Sequence, residues 1–85
     1  MWLWRSHLSN KTYKLHEYDC TEFTNDFHKI LKENGIESKI AFGYFKGRNI
    51  LHCWLEIDGE YFEATKGYYK DKSKYVFKKN LGLCP

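Results

Sequence analysis

Cys20, His52 and Glu63 are, by type, the three groups that a thiol acyl-transfer site needs. The thiolate is the attacking form of cysteine, and a free thiol has an ordinary pKa of about 8.5. An imidazole beside it can take the proton, and a carboxylate on the other ring nitrogen fixes tautomer and orientation. Cys20 opens the run CTEFTNDFHKILKENG, so a helix N-terminus, with its unpaired N–H groups and dipole, would favour the anion. The Cys20 backbone N–H, unpaired in a first turn, could donate to a developing oxyanion. Asp19 and Glu22 set negative charge near the sulfur, which leaves most of the activation to His52.

The elements that must position these groups can be read from periodicity. Phe23, Phe27, Ile30 and Leu31 follow Cys20 at helical spacing. Asp19 is a suitable N-cap with Glu22 three residues on, and Gly35 stands where a left-handed C-terminal residue belongs. After Gly35 the period changes to two. Ile40, Phe42 and Tyr44 alternate in a first strand, Lys46-Gly47-Arg48-Asn49 supplies a turn, and a second strand runs from Ile50 to about Ile57. Asp58-Gly59 predicts a two-residue hairpin returning through Tyr61 to Thr65. A further strand is expected around Tyr75-Val76-Phe77, whereas residues 5–18 read as loop or irregular structure. The whole predicts an α+β domain, a helix followed by an antiparallel β-meander packed against it.

That hairpin carries a register. Ile57 faces Glu60, and pairing runs back as 56 with 61, 55 with 62, 54 with 63 and 52 with 65. His52, Trp54, Tyr61, Glu63 and Thr65 then share one face, and Leu51, Cys53, Leu55, Phe62 and Ala64 the other. His52 and Glu63 become diagonal neighbours, roughly 7–8 Å apart at the backbone and within side-chain reach. Glu56 and Asp58 are rival acids. Two placements of the helix follow. On the more apolar Leu51–Leu55–Phe62 face it would set the sheet between Cys20 and His52; over the aromatic surface of Trp54 and Tyr61 it would keep them together.

Taken in order, these segments resemble the core of the transglutaminase-like superfamily. Tyr18-Asp19-Cys20-Thr21-Glu22-Phe23 matches its cysteine at a helix start, and Gly35-Ile36-Glu37-Ser38-Lys39-Ile40 its Gly-Ile turn without the proline. Gly43-Tyr44 ends a strand as that family's does; His52-Cys53-Trp54-Leu55-Glu56 matches its His-x-Trp-x-Glu strand, and Glu63-Ala64-Thr65 stands in place of Asp-x-Thr. The match covers residues 18–65. The resemblance implies a papain/transglutaminase-like core with Cys20, His52 and Glu63 as a catalytic triad. It also implies a thioester route on amide or isopeptide bonds of a protein or peptide, ending in hydrolysis or transamidation, with no cofactor. Trp4, Tyr13 and His16 are candidates for a side chain completing an oxyanion hole.

Composition bounds the rest. Eighty-five residues make one small domain, 1–85, in which an aromatic content of 19% lets a single core suffice without staples. Three cysteines cannot all pair, so free thiols and a reducing, cytoplasmic setting are expected, with Cys53 as packing and Cys84 in a mobile tail. The apolar start Met1-Trp2-Leu3-Trp4 meets Arg5 too soon for a leader or membrane span, and no membrane partner is expected. His7, His16, His28 and His52 with the cysteines lack the close pair spacing of structural zinc, so no metal is expected. Between Lys66 and Asn80, six lysines face one aspartate and interleave with Tyr68, Tyr69, Tyr75 and Phe77. That run reads as a solvated edge, or as a nucleic-acid track in the alternative of a non-catalytic binding module. The small size leaves little room for a substrate cleft, which a partner or homodimer would enlarge.

Overall fold

The computed structural model describes every residue except His16 and Asn49. The elements are α1 (Trp2–His7), α2 (Cys20–Glu33), β1 (Lys39–Phe45), β2 (Leu51–Ile57), β3 (Glu60–Glu63), β4 (Tyr68–Lys70) and β5 (Tyr75–Leu81), with a 3₁₀ turn at Lys72–Lys74. The architecture is α+β. All five strands pair antiparallel in the order β4-β3-β2-β1-β5, so the first four form a meander and the fifth crosses to the far edge beside β1.

Helix α2 begins where its chemistry requires. The Asp19 carboxylate accepts the Thr21 N–H at 3.0 Å, and the Glu22 carboxylate accepts the Asp19 N–H at 3.1 Å, closing the capping box. It ends at Asn34, followed by Gly35 at φ 75°, a left-handed position at which glycine is unstrained. Its apolar stripe, Phe23, Phe27 and Leu31, is buried against Leu55, Phe62 and Ala64, with the Phe27 and Phe62 rings 5.3 Å apart. The helix therefore lies on the Leu55–Phe62 face. The alternative placement over Trp54 and Tyr61 is not adopted, because the sheet covers that face itself. Tyr75 of β5 lies 4.5 Å from the Trp54 ring and 5.2 Å from Tyr61, forming with Ala41 a second, aromatic core.

That second core depends on a close strand approach. A register shift between Phe42 and Gly43 bends β1 against β5. A Cβ on Gly43 would stand 2.0 Å from the Val76 carbonyl oxygen, so only glycine lets the strands come together there.

Three other expectations are corrected. The stretch read as irregular from residue 5 contains the end of α1; Leu3 and Leu8 enter the main core, and Trp4 packs on Gly67 and donates its Nε1–H to the Ala64 carbonyl at 2.5 Å. Six residues are too few to show a helical period in sequence. The returning strand stops at Glu63 rather than Thr65, because the chain turns there, with the Gly67 N–H donating to the Glu63 carbonyl at 2.7 Å. Finally, not all thiols are free, and Cys84 is not in a loose tail. Cys53 and Cys84 form a disulfide across a separation of 31 residues, and both are buried, because the segment after β5 folds back over the start of α2.

Candidate active site

The site forms where β2 and β3 part. Their ladder runs through 57–60, 56–61 and 55–62 and goes no further, so the expected pairings 54–63 and 52–65 are absent. Asp58 and Gly59 adopt φ 53° and 80°, the left-handed turn that sets this register. Beyond Leu55, β2 has β1 as its partner, with His52 opposite Gly43. Glu63 still reaches across: His52 Nε2 lies 2.9 Å from its Oε1 and 2.6 Å from its Oε2. The imidazole is held flat between rings, 4.6 Å from Phe45 and 6.0 Å from Trp54.

Glu63 is 3% exposed, and its carboxylate has a second partner that sequence reasoning missed. The Tyr75 hydroxyl donates to Glu63 Oε2 at 2.8 Å, and burial, followed by the charge and hydrogen bond of Glu63, holds that phenol well above its usual pKa. No signal in the sequence links Tyr75 to this carboxylate. The link passes through the crossing of β5 and the approach at Gly43.

Cys20 reaches the site from the other side of the sheet. It stands at the very start of α2, half-buried, and lines a cavity of about 250 Å³ with Thr21, Phe42, Leu51, His52, Cys53 and the segment Cys84-Pro85. With Nε2 occupied by Glu63, Nδ1 is the ring nitrogen left for the sulfur. Burial of the His52 ring lowers its pKa, but hydrogen bonds with Cys20 and then Glu63, with their charges, outweigh this and push it up to about 9. The structure thus gathers the three residues singled out from sequence, and Cys20 is the free cysteine among the described residues.

The remaining candidates separate clearly. Burial, then the charges of Cys20, Asp19 and Glu22, raise the pKa of Tyr13, whose side chain is half exposed and does not line the Cys20 cavity. Trp4 has committed its indole N–H to Ala64, and His16 lies outside the described residues. Glu56 and Asp58 line a different, larger cleft of about 1080 Å³ at the far end of α2. There His28 Nδ1 lies 2.7 Å from the Ser38 hydroxyl, and burial and then Lys32 lower the His28 pKa. Trp54 is wholly buried core.

Among the described residues, no group of three or more His, Cys, Asp or Glu side chains gathers to hold a metal, and no helix is long and apolar enough to cross a membrane. The lysine-rich run is divided by the topology, since β4 and β5 are opposite edges of the sheet. Lys70 and Lys78 lie over the Tyr68 and Tyr44 rings, at 5.7 and 5.6 Å from their centroids, which suits lysines that guard free edges. No protein-family model matches the chain, and neither a curated protein nor a solved structure matches it.

Proposed function

We infer that this domain is a small thiol enzyme with a papain/transglutaminase-like core, cytoplasmic, acting on an amide or isopeptide bond of a protein or peptide. One observation carries the reading: the imidazole of His52, held at 2.6 Å by the buried Glu63 carboxylate, lines the same small cavity as the Cys20 thiol. The Cys20 sulfur, its proton held on His52, attacks the carbonyl carbon. The tetrahedral oxyanion takes the Cys20 backbone N–H. As the C–N bond breaks, His52 gives its proton to the leaving amine and a thioester remains on Cys20. Water or a second amine then attacks, His52 accepts its proton, and the thiolate leaves. Glu63 fixes the ring so that Nδ1 faces sulfur throughout, and Tyr75 fixes Glu63.

The test is alkylation of Cys20 by iodoacetamide at neutral pH, read by mass spectrometry on the Cys20 peptide. His52→Ala should slow it by about tenfold or more, as expected when a thiolate loses its partner. Release of peptide amides, and incorporation of a fluorescent primary amine into a glutamine-bearing protein, then separate hydrolysis from transamidation. Both should vanish in Cys20→Ala. Alkylation indifferent to His52 would remove the basis of the reading.

A further inference from the structure

The cavity at Cys20 is partly filled by the chain itself. After β5 ends at Leu81, residues 82–85 run across the first two turns of α2. The Asn25 side-chain amide grips the main chain of Cys84 twice: its Nδ2–H donates to the Cys84 carbonyl at 3.0 Å, and its Oδ1 accepts the Cys84 N–H at 2.8 Å. The Thr21 hydroxyl donates to the Pro85 carbonyl oxygen at 3.0 Å. These three bonds read main chain alone, and the Thr21 hydroxyl also lies 3.7 Å from the Cys84 sulfur. The Cys84 side chain points inward, 4% exposed, and is tied to Cys53 by the disulfide, whereas Leu83 is 67% exposed.

We propose that Thr21 and Asn25 form a main-chain-reading peptide subsite beside Cys20, which residues 82–85 fill while the Cys53–Cys84 disulfide stands and an extended peptide substrate fills once it is reduced. The proposal rests on the thiol-enzyme reading above and adds to it a substrate class and a switch. A paired donor and acceptor on one amide, matched to the N–H and C=O of a single residue, suit an extended peptide backbone of any sequence. The buried position of Cys84 selects a small side chain at that point, and the exposure of Leu83 leaves the preceding position free.

The switch is a thiol–disulfide exchange with an external dithiol. One thiolate of the dithiol attacks a disulfide sulfur and displaces the other cysteine as a thiolate; its second thiolate then closes an intramolecular disulfide and releases the protein. Two electrons and two protons pass to Cys53 and Cys84, and the dithiol leaves oxidised. The segment, now held by hydrogen bonds alone, exchanges with solvent and with competing peptide. In a reducing compartment disulfides are usually transient and catalytic or redox-sensing, which fits a latch more than a staple.

The experiment compares alkylation of Cys20 by iodoacetamide and by a maleimide carrying a polyethylene glycol chain, before and after reduction with a dithiol. Circular dichroism follows the fold in parallel. Reduction should raise the maleimide rate relative to the iodoacetamide rate by about tenfold, because access and not thiolate character has changed. The variant Cys53→Ser/Cys84→Arg, whose guanidinium does not fit the buried position, should behave as the reduced protein without reductant. In that variant, N-acetyl-Gly-Leu-Ser-Pro-amide at millimolar concentration should slow both reagents, and adding Asn25→Ala should abolish the protection. An unchanged ratio of rates, no protection by the peptide, or loss of the native spectrum in both the reduced protein and the variant overturns the proposal. These outcomes are distinct from a failure of the thiol-enzyme reading, which shows as iodoacetamide alkylation insensitive to His52→Ala in the oxidised protein.

Discussion

His52 and Glu63 meet across strands that have already ceased to pair, with Nε2 2.6 Å from Oε2 in a site nearly closed to water. A carboxylate buried to this degree is costly unless charge and hydrogen bonds compensate it, and here an imidazole and a phenol do so together. Losing either partner should therefore cost more than an exposed pair would.

Protonation of His52 links this pair to pH. Its folded-state pKa is raised from 6.5 to about 9, so folding favours the imidazolium. The resulting stability is fully present below the unfolded value near 6.5 and is lost as pH rises through about 9. Urea midpoints measured from about pH 6 to 10 should fall for the wild type, and fall less for Glu63→Gln, in which the pairing charge is gone. Proton NMR of the ring should give a midpoint near 9 in the wild type, moving toward 6.5 in both Glu63→Gln and Cys20→Ser.

Tyr75→Phe keeps the ring that covers Trp54 and removes one hydrogen bond to a buried carboxylate. The expected loss is about 1.5–3 kcal/mol in a urea melt. If the hydroxyl also fixes the rotamer of Glu63, iodoacetamide alkylation of Cys20 should slow as well, which loss of stability alone would not produce in protein that remains folded.

Asp19→Ala tests the helix start that presents the thiol. Removing the side chain that accepts the Thr21 N–H should cost about 1 kcal/mol. The fraying should be visible as faster amide hydrogen exchange in residues 20–23, with the sheet amides unchanged.

What the sequence made legible follows physical range. The capping box at Asp19 and Glu22, the Gly35 stop and the Asp58-Gly59 turn are set by neighbouring residues, and each stands where its spacing put it. The hairpin register holds from 57–60 to 55–62, and beyond it the side chains of His52 and Glu63 still meet although the expected pairings 54–63 and 52–65 do not form. The errors concern contacts between distant segments. Nothing local in Tyr75 says that it will cross to the far edge and cover Trp54, which is why the helix could be imagined there instead. Cys84, beside a proline and far from Cys53, gives no sign that Asn25 will hold its backbone at the mouth of α2. β4 is exposed throughout and so shows no apolar alternation to read.

Gly43→Ala is the substitution that should separate the fold from the site most sharply. Its Cβ would fall 2.0 Å from the Val76 carbonyl oxygen and 3.0 Å from Trp54 Cη2, and since the first of these is backbone, β5 must move. Overpacking of this kind costs about 1–3 kcal/mol, and more where a main chain is displaced. Val76 follows Tyr75 directly, so the shift should draw the Tyr75 hydroxyl away from Glu63 and loosen the carboxylate that orients His52. The expected signature is a lowered urea midpoint together with a fall in the His52 pKa from about 9, while the amides of α2 keep their protection. Gly82→Ala is the control: no atom lies within 4 Å of the added Cβ, and its stability should stay within about 0.5 kcal/mol of the wild type. A Gly43→Ala protein that melts like the control, with His52 titrating unchanged, would show that β5 does not hold the carboxylate in place.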